Sequence, residues 1–136
     1  FDRHIRRHIV PEMQDWARRL QDAGVEVWLV SGSHRWLISA GARALGLSAN
    51  RLLAVSVAVR DGLCTAEVAL PVTYGAGKGE AIRQRLRRAP DLAAGNTLAD
   101  HYMLELAAFA VAFEPDDGLA ALAAERHWPI LRLSGG

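Results

Sequence analysis

An apolar run that ends in Ser-Gly-Ser constrains this chain more than any other stretch. Gly24 closes an amphipathic helix, and Val25-Glu26-Val27-Trp28-Leu29-Val30 leads into Ser31-Gly32-Ser33. β-Branched residues with an aromatic predict a strand over 25–31, buried on both faces and central in its sheet. A new helical pattern opens at His34. Strand, tight glycine turn and helix start form the geometry that points backbone N–H groups at an anion. The Ser31 hydroxyl then sits at the carboxyl end of a strand, where open α/β sheets bind ligands. The same pattern also serves as an ordinary turn.

At 136 residues the chain has the length of one domain with a real core. No uninterrupted apolar run approaches the roughly 20 residues that span a membrane, so no membrane partner is expected. The net charge of +1 argues against a nucleic-acid footprint. Cys64 is the single cysteine and has no partner for an internal disulfide. That fits a reducing compartment, and a cytoplasmic protein is expected. The chain opens on Phe1 and is expected to be a processed, trimmed or partial polypeptide.

Residues 1–10 read as the end of a charged helix. His4, His8 and Glu12 stand four apart, as metal ligands on one helical face would, but Pro11 interrupts that face and a solvated surface is the better reading. Pro11 suits the first position of a new helix, with Met13, Trp16, Ala17 and Leu20 on its apolar stripe. A second helix runs from about His34 to Leu45, stopped by Gly46. Two β-rich runs then flank Arg60-Asp61-Gly62, and Asp-Gly predicts a hairpin within residues 52–70. Gly75-Ala76-Gly77-Lys78-Gly79 fails the nucleotide-loop pattern, because Gly79 rather than Ser or Thr follows Lys78. What remains is a lysine in a glycine-rich turn at a helix start, and its plain reading is a solvated side chain. Residues 91–95 read as a buried strand. Thr97 and Asp100 have capping-box spacing before a helix over 98–107. Phe109–Phe113 is a further strand, Asp116 or Asp117 caps a helix to about Arg126, and 129–133 is a last short strand. The alternation predicts an α/β fold with a mainly parallel sheet and an inserted hairpin.

Three turns carry a family resemblance: Val30-Ser31-Gly32, Lys78 in its glycine-rich turn, and Gly95-Asn96-Thr97-Leu98-Ala99-Asp100 before Met103-Leu104. With the Asp-Gly hairpin between the first two, their order and spacing resemble the second, third and fourth motifs of the haloacid dehalogenase-like hydrolases. The match is to the phosphoserine-phosphatase-like branch. Ala112-Phe113-Glu114-Pro115-Asp116 and Arg126-His127-Trp128-Pro129 resemble it too. The likeness covers about residues 9–133. It implies a Rossmann-like three-layer α/β domain over 11–136, incomplete at its N-terminus, preceded over 1–10 by the end of a cap-type helix.

The resemblance also implies a Mg²⁺-dependent phosphomonoester phosphatase acting on a small molecule through an aspartyl-phosphate. Ser31 and Gly32 bind the phosphate, Lys78 is the positive clamp, Asn96 is a metal ligand, and Asp100 orders the metal's water shell or Lys78. The sequence departs from the family in three places. The opening Asp-x-Asp-x-Thr motif, which holds the nucleophile, is absent: Phe1-Asp2 matches only superficially, and His4 stands where the second Asp belongs. Asn96 replaces the metal-binding Asp, and Ala99 stands where phosphoserine-specific members carry an Asn. The competing expectation is a phosphatase-like binding or regulatory module that has lost catalysis. A nucleotide-binding α/β domain unrelated to phosphatases is a third.

Overall fold

A computed structural model describes residues 8–133. His4 and most of the expected helix end over 1–10 lie outside the described residues. The chain divides into two compact units, one ending at Val72 and the other beginning at Thr73.

In the first unit, α1 spans Pro11–Asp22 with Pro11 in its first turn. It buries Ala17. It ends as the glycine foretold: Gly24 has φ 79°, and Val25 N–H donates to Leu20 O at 2.9 Å. β1 is Leu29–His34 and α2 is Arg35–Ala44. Two amides of α1 close the far end of α2. Gln14 Nε2 donates to Ala44 O at 2.7 Å, and Gln21 Nε2 donates to Leu45 O at 3.0 Å. These bonds satisfy carbonyls that have no intrahelical partner. A 3-10 turn over Ala49–Arg51 leads into β2, Leu52–Val55, which pairs parallel with β1.

The expected strand over 25–31 is shifted and less buried. Residues 25–28 lie outside it, and Val25 is 47% exposed. The cause is polar. Glu26 accepts from Trp28 Nε1 at 2.6 Å and pairs with Arg51 at 2.5 Å, while Arg51 stacks over the Trp28 ring. Among the described residues β1 pairs with β2 alone, so it is not central in this sheet. The chain stays extended through Ser-Gly-Ser, and an irregularity in the ladder between Ser31 and His34 replaces the expected glycine turn. His34 caps α2, its ring nitrogen accepting from Trp36 N–H at 3.3 Å.

The long β-rich run breaks at Ser56, whose hydroxyl accepts from Arg35 Nε at 3.2 Å. Beyond it β3 (Val57–Arg60) and β4 (Leu63–Val68) form the expected antiparallel hairpin. Asp61 and Gly62 turn with φ of 52° and 77°, the paired positive values a two-residue hairpin loop requires.

In the second unit, α3 spans Ala76–Leu86, followed by β5 (Leu92–Gly95), a 3-10 turn (Leu98–Asp100) and α4 (His101–Leu104). β6 (Phe109–Phe113), α5 (Asp117–Arg126) and β7 (Ile130–Leu131) complete it. The three strands are parallel in the order β5-β6-β7. Ala93, Ala110, Val111 and Ala112 of the sheet, Ile82 of α3, Leu104 of α4 and Leu119 and Ala123 of α5 are buried. Burying each of Leu104 and Leu119 is worth roughly 1.5–3 kcal/mol. The helix expected over 98–107 is shorter. Its end tightens into three-residue bonds, Leu106 N–H to Met103 O and Ala107 N–H to Leu104 O. Overall the chain is an α/β fold with parallel pairing and one inserted hairpin. No helix among the described residues is long and apolar enough to cross a membrane.

Candidate active site

Lys78 lies in the first turn of α3, whose N-cap is Gly75 with φ 52°. A cation there opposes the helix dipole, and burial adds a desolvation cost. Lys78 is nonetheless 9% exposed, so the solvated reading of this residue fails. Its ammonium is paired with the Oδ1 of Asp100, itself 3% exposed.

Asp100 is held from four sides. Its Oδ2 accepts from Asn96 N–H at 2.9 Å, from Thr97 N–H at 3.1 Å and from the Thr97 hydroxyl at 3.4 Å, while Oδ1 takes Lys78. Thr97 and Asp100 form the expected capping box. One carboxylate thus fills the structural role of a cap and the electrostatic role of a counter-ion. Burial pushes the Asp100 carboxyl up. Lys78 and the Asn96 and Thr97 N–H groups outweigh burial and hold it below its ordinary value.

Gly95 makes this approach possible. A Cβ on Gly95 would stand 2.6 Å from the Cβ of Asp100 and 3.0 Å from its Oδ2. Gly79 does the same for α3 and α4, where a Cβ would meet Tyr102 O at 3.3 Å. The sequence signalled neither role beyond the presence of glycine. It also showed Asp116 only as a helix cap. In the structure Asp116 Oδ1 accepts from Leu119 N–H at 2.7 Å, and its Oδ2 accepts from Leu98 N–H at 3.1 Å.

The second unit therefore brings Lys78, Asp100 and the Asn96 backbone together, with the Asn96 side chain exposed. Ser31 and Gly32 belong to the first unit. There Ser31 Oγ accepts from Ser33 N–H at 3.1 Å, which fixes the hydroxyl beside the start of α2.

The dication that the resemblance implies needs several oxygen ligands, charged ones foremost. Asn96 offers a neutral amide oxygen, and both oxygens of Asp100 are engaged. Among the described residues no group of three or more His, Cys, Asp or Glu is placed to hold a metal ion. By themselves these residues do not fit Mg²⁺.

The family profile of the haloacid dehalogenase-like hydrolases matches residues 1–105. A phosphoserine phosphatase of Mycobacterium tuberculosis is 37% identical over 114 residues, covering 80% of this chain and 36% of that protein. A probable phosphatase of the same organism is 36% identical over 116 residues, 82% of this chain and 39% of its own length. A Bordetella pertussis protein of unknown function has the same fold, with a TM-score of 0.84 and 24% identity over 93% of this chain and 60% of that one. A substrate-bound phosphoserine phosphatase structure has a TM-score of 0.62 and 25% identity, over 79% of this chain and 53% of that one. The chain thus belongs to the haloacid dehalogenase-like hydrolases. Within them it resembles the phosphoserine-phosphatase-like branch. It spans well under half the length of the curated relatives it matches.

Proposed function

We propose that this chain supplies the phosphate-binding and charge-balancing part of a phosphatase acting on small phosphomonoesters. The observation that carries this reading is the buried Lys78–Asp100 pair. A buried ammonium in the first turn of a helix is costly, and a developing phosphoryl charge gives it a use. Asp100 fixes its direction. The Ser31 hydroxyl and Gly32 N–H are the groups that bind phosphoryl oxygens. An aspartyl-phosphate is the family's chemistry, and none of these candidates takes the nucleophile's role. Mg²⁺ dependence is carried over from the family alone, and Asn96 and Asp100, its candidate ligands by resemblance, would hold the ion only together with carboxylates other than their own. The exposed Asn96 and the fully engaged Asp100 favour a second reading, a phosphate-binding module without turnover.

The test is phosphate release from an aryl phosphate and from phosphoserine by the intact protein, with and without Mg²⁺. Turnover that falls about a hundredfold in Ser31→Ala supports the first reading, the size expected for a lost transition-state donor. Silence of the wild type and of Asn96→Asp, with inorganic phosphate still bound in calorimetry, supports the second. Silence with no phosphate bound overturns both.

A further inference from the structure

We propose that Asp116 is a positioning residue for the loop Asn96–Asp100, acting as a double cap. The proposal rests on the functional reading above only in what that loop is for. Three consecutive amides of the loop end on carboxylates. Asn96 and Thr97 N–H donate to Asp100, and Leu98 N–H donates to Asp116. Asp116 N–H donates in turn to Asn96 O at 2.9 Å. The loop is therefore gripped at both ends of its first three residues by one side chain and its own backbone.

The helix that Asp116 begins does not need this. A single side-chain oxygen caps α5, and Oδ1 supplies it at Leu119 N–H. Serine caps a helix about as well as aspartate. The second oxygen does something a cap alone would not, by holding the start of another helical turn. Gly118 adds to the grip: a Cβ there would stand 3.1 Å from Leu98 Cδ2 and 3.3 Å from Leu98 Cβ, so Leu98 packs close on the first turn of α5. Asp116 itself is exposed and acts through Leu98 and Asn96 on Asp100.

Two variants separate the cap from the bridge. Asp116→Ser keeps one oxygen for Leu119 N–H and loses the bond to Leu98. Asp116→Asn keeps the cap oxygen and turns an NH₂ group toward Leu98 N–H. Amide hydrogen exchange of the intact protein, read by NMR, is the direct measurement. The amides of Asn96, Thr97 and Leu98 are expected to exchange about tenfold faster in both variants, the scale of one lost bond to a charged group. Those of α5, such as Ala123, are expected to stay protected. Unchanged exchange at 96–98 in both variants overturns the proposal. Equal acceleration at 96–98 and throughout α5 also overturns it, because Asp116 is then a plain helix cap. Where the protein turns over a phosphomonoester, kcat is expected to fall about tenfold with KM held, and an equal fall in the absence of any exchange change overturns the assignment. If the protein neither turns over a phosphomonoester nor binds inorganic phosphate, the function proposed above fails, and the exchange result still decides this one.

Discussion

The two units hold their candidate phosphate groups in opposite ways. In the first, Ser31 sits on a half-buried strand with one strand neighbour among the described residues, and its hydroxyl accepts locally, from Ser33 N–H two residues on. In the second, Lys78 and Asp100 are 22 positions apart, buried, and tied through α3, the loop after β5, the 3-10 turn and the start of α5. The cores differ in the same sense. The first unit buries Ala17, Ala40, Ala42, Leu47 and Leu52; the second adds Met103, Leu104, Ala112 and Leu119 to a run of packed alanines. A charge can be stored away from water only where many fixed donors and acceptors surround it. A neutral hydroxyl needs no such surround, and it sits in the looser unit.

The sharpest way to break this contrast is to remove one partner of the buried pair. Asp100→Ala leaves the Lys78 ammonium uncompensated and also removes the capping box. It is expected to cost about 3–5 kcal/mol in denaturant unfolding. Lys78→Met leaves Asp100 with its two backbone donors and is expected to cost less, about 1.5–3 kcal/mol. Equal costs would show that the backbone bonds to Asp100 contribute little. Acid offers a reversible version of the same experiment. The folded Asp100 carboxyl titrates below its unfolded value. Its contribution is therefore complete above the ordinary carboxylate range, near pH 4. It is lost as pH falls through the folded value. The stability difference between wild type and Asp100→Asn is expected to be constant at neutral pH and to shrink toward zero in acid. A difference that grows on acidification would reverse the assigned sign.

What was legible in the sequence tracks how local the cause is. The hairpin was readable because Asp61 and Gly62 adopt positive φ within two residues. The Thr97–Asp100 box, the span of β6 and the cap at Asp116 also rest on neighbours a few positions apart. The start of β1 was not readable, because Arg51 reaches back from beyond α2 to draw Glu26 and Trp28 out of the strand. The strand's resumption at His34, beyond the irregularity at Gly32-Ser33, rests on pairing with Val55 of β2, again a distant segment. Burial of Lys78 likewise depends on a carboxylate that arrives from two elements later. The family's motifs pointed to Lys78 and Asp100, which the structure pairs and buries in the second unit. They gave no sign that both oxygens of Asp100 would be engaged, or that Asp116 would bridge to Leu98.

Glycines give the smallest and cleanest test of the difference between the units. Gly95 is buried, ends β5 and pairs with Ala112, and any Cβ there would press on Asp100 at 2.6 Å. Strand backbone on one side and the capping turn on the other leave little room to yield. Gly95→Ala is expected to cost about 1–3 kcal/mol, as overpacking does, and to weaken the acid dependence just described by moving Asp100 off Lys78. Gly41 lies within α2 of the first unit, where a Cβ would meet nothing within 4 Å and φ is not positive. Gly41→Ala is therefore expected to stabilise by about 0.5–1 kcal/mol, because alanine loses less backbone entropy in a helix. The two substitutions add the same methyl group, so their opposite signs isolate packing from propensity. Thermal unfolding of both variants decides the matter. If Gly95→Ala is neutral, Asp100 has room to move and the second unit is no tighter around its charge than the first is around its hydroxyl.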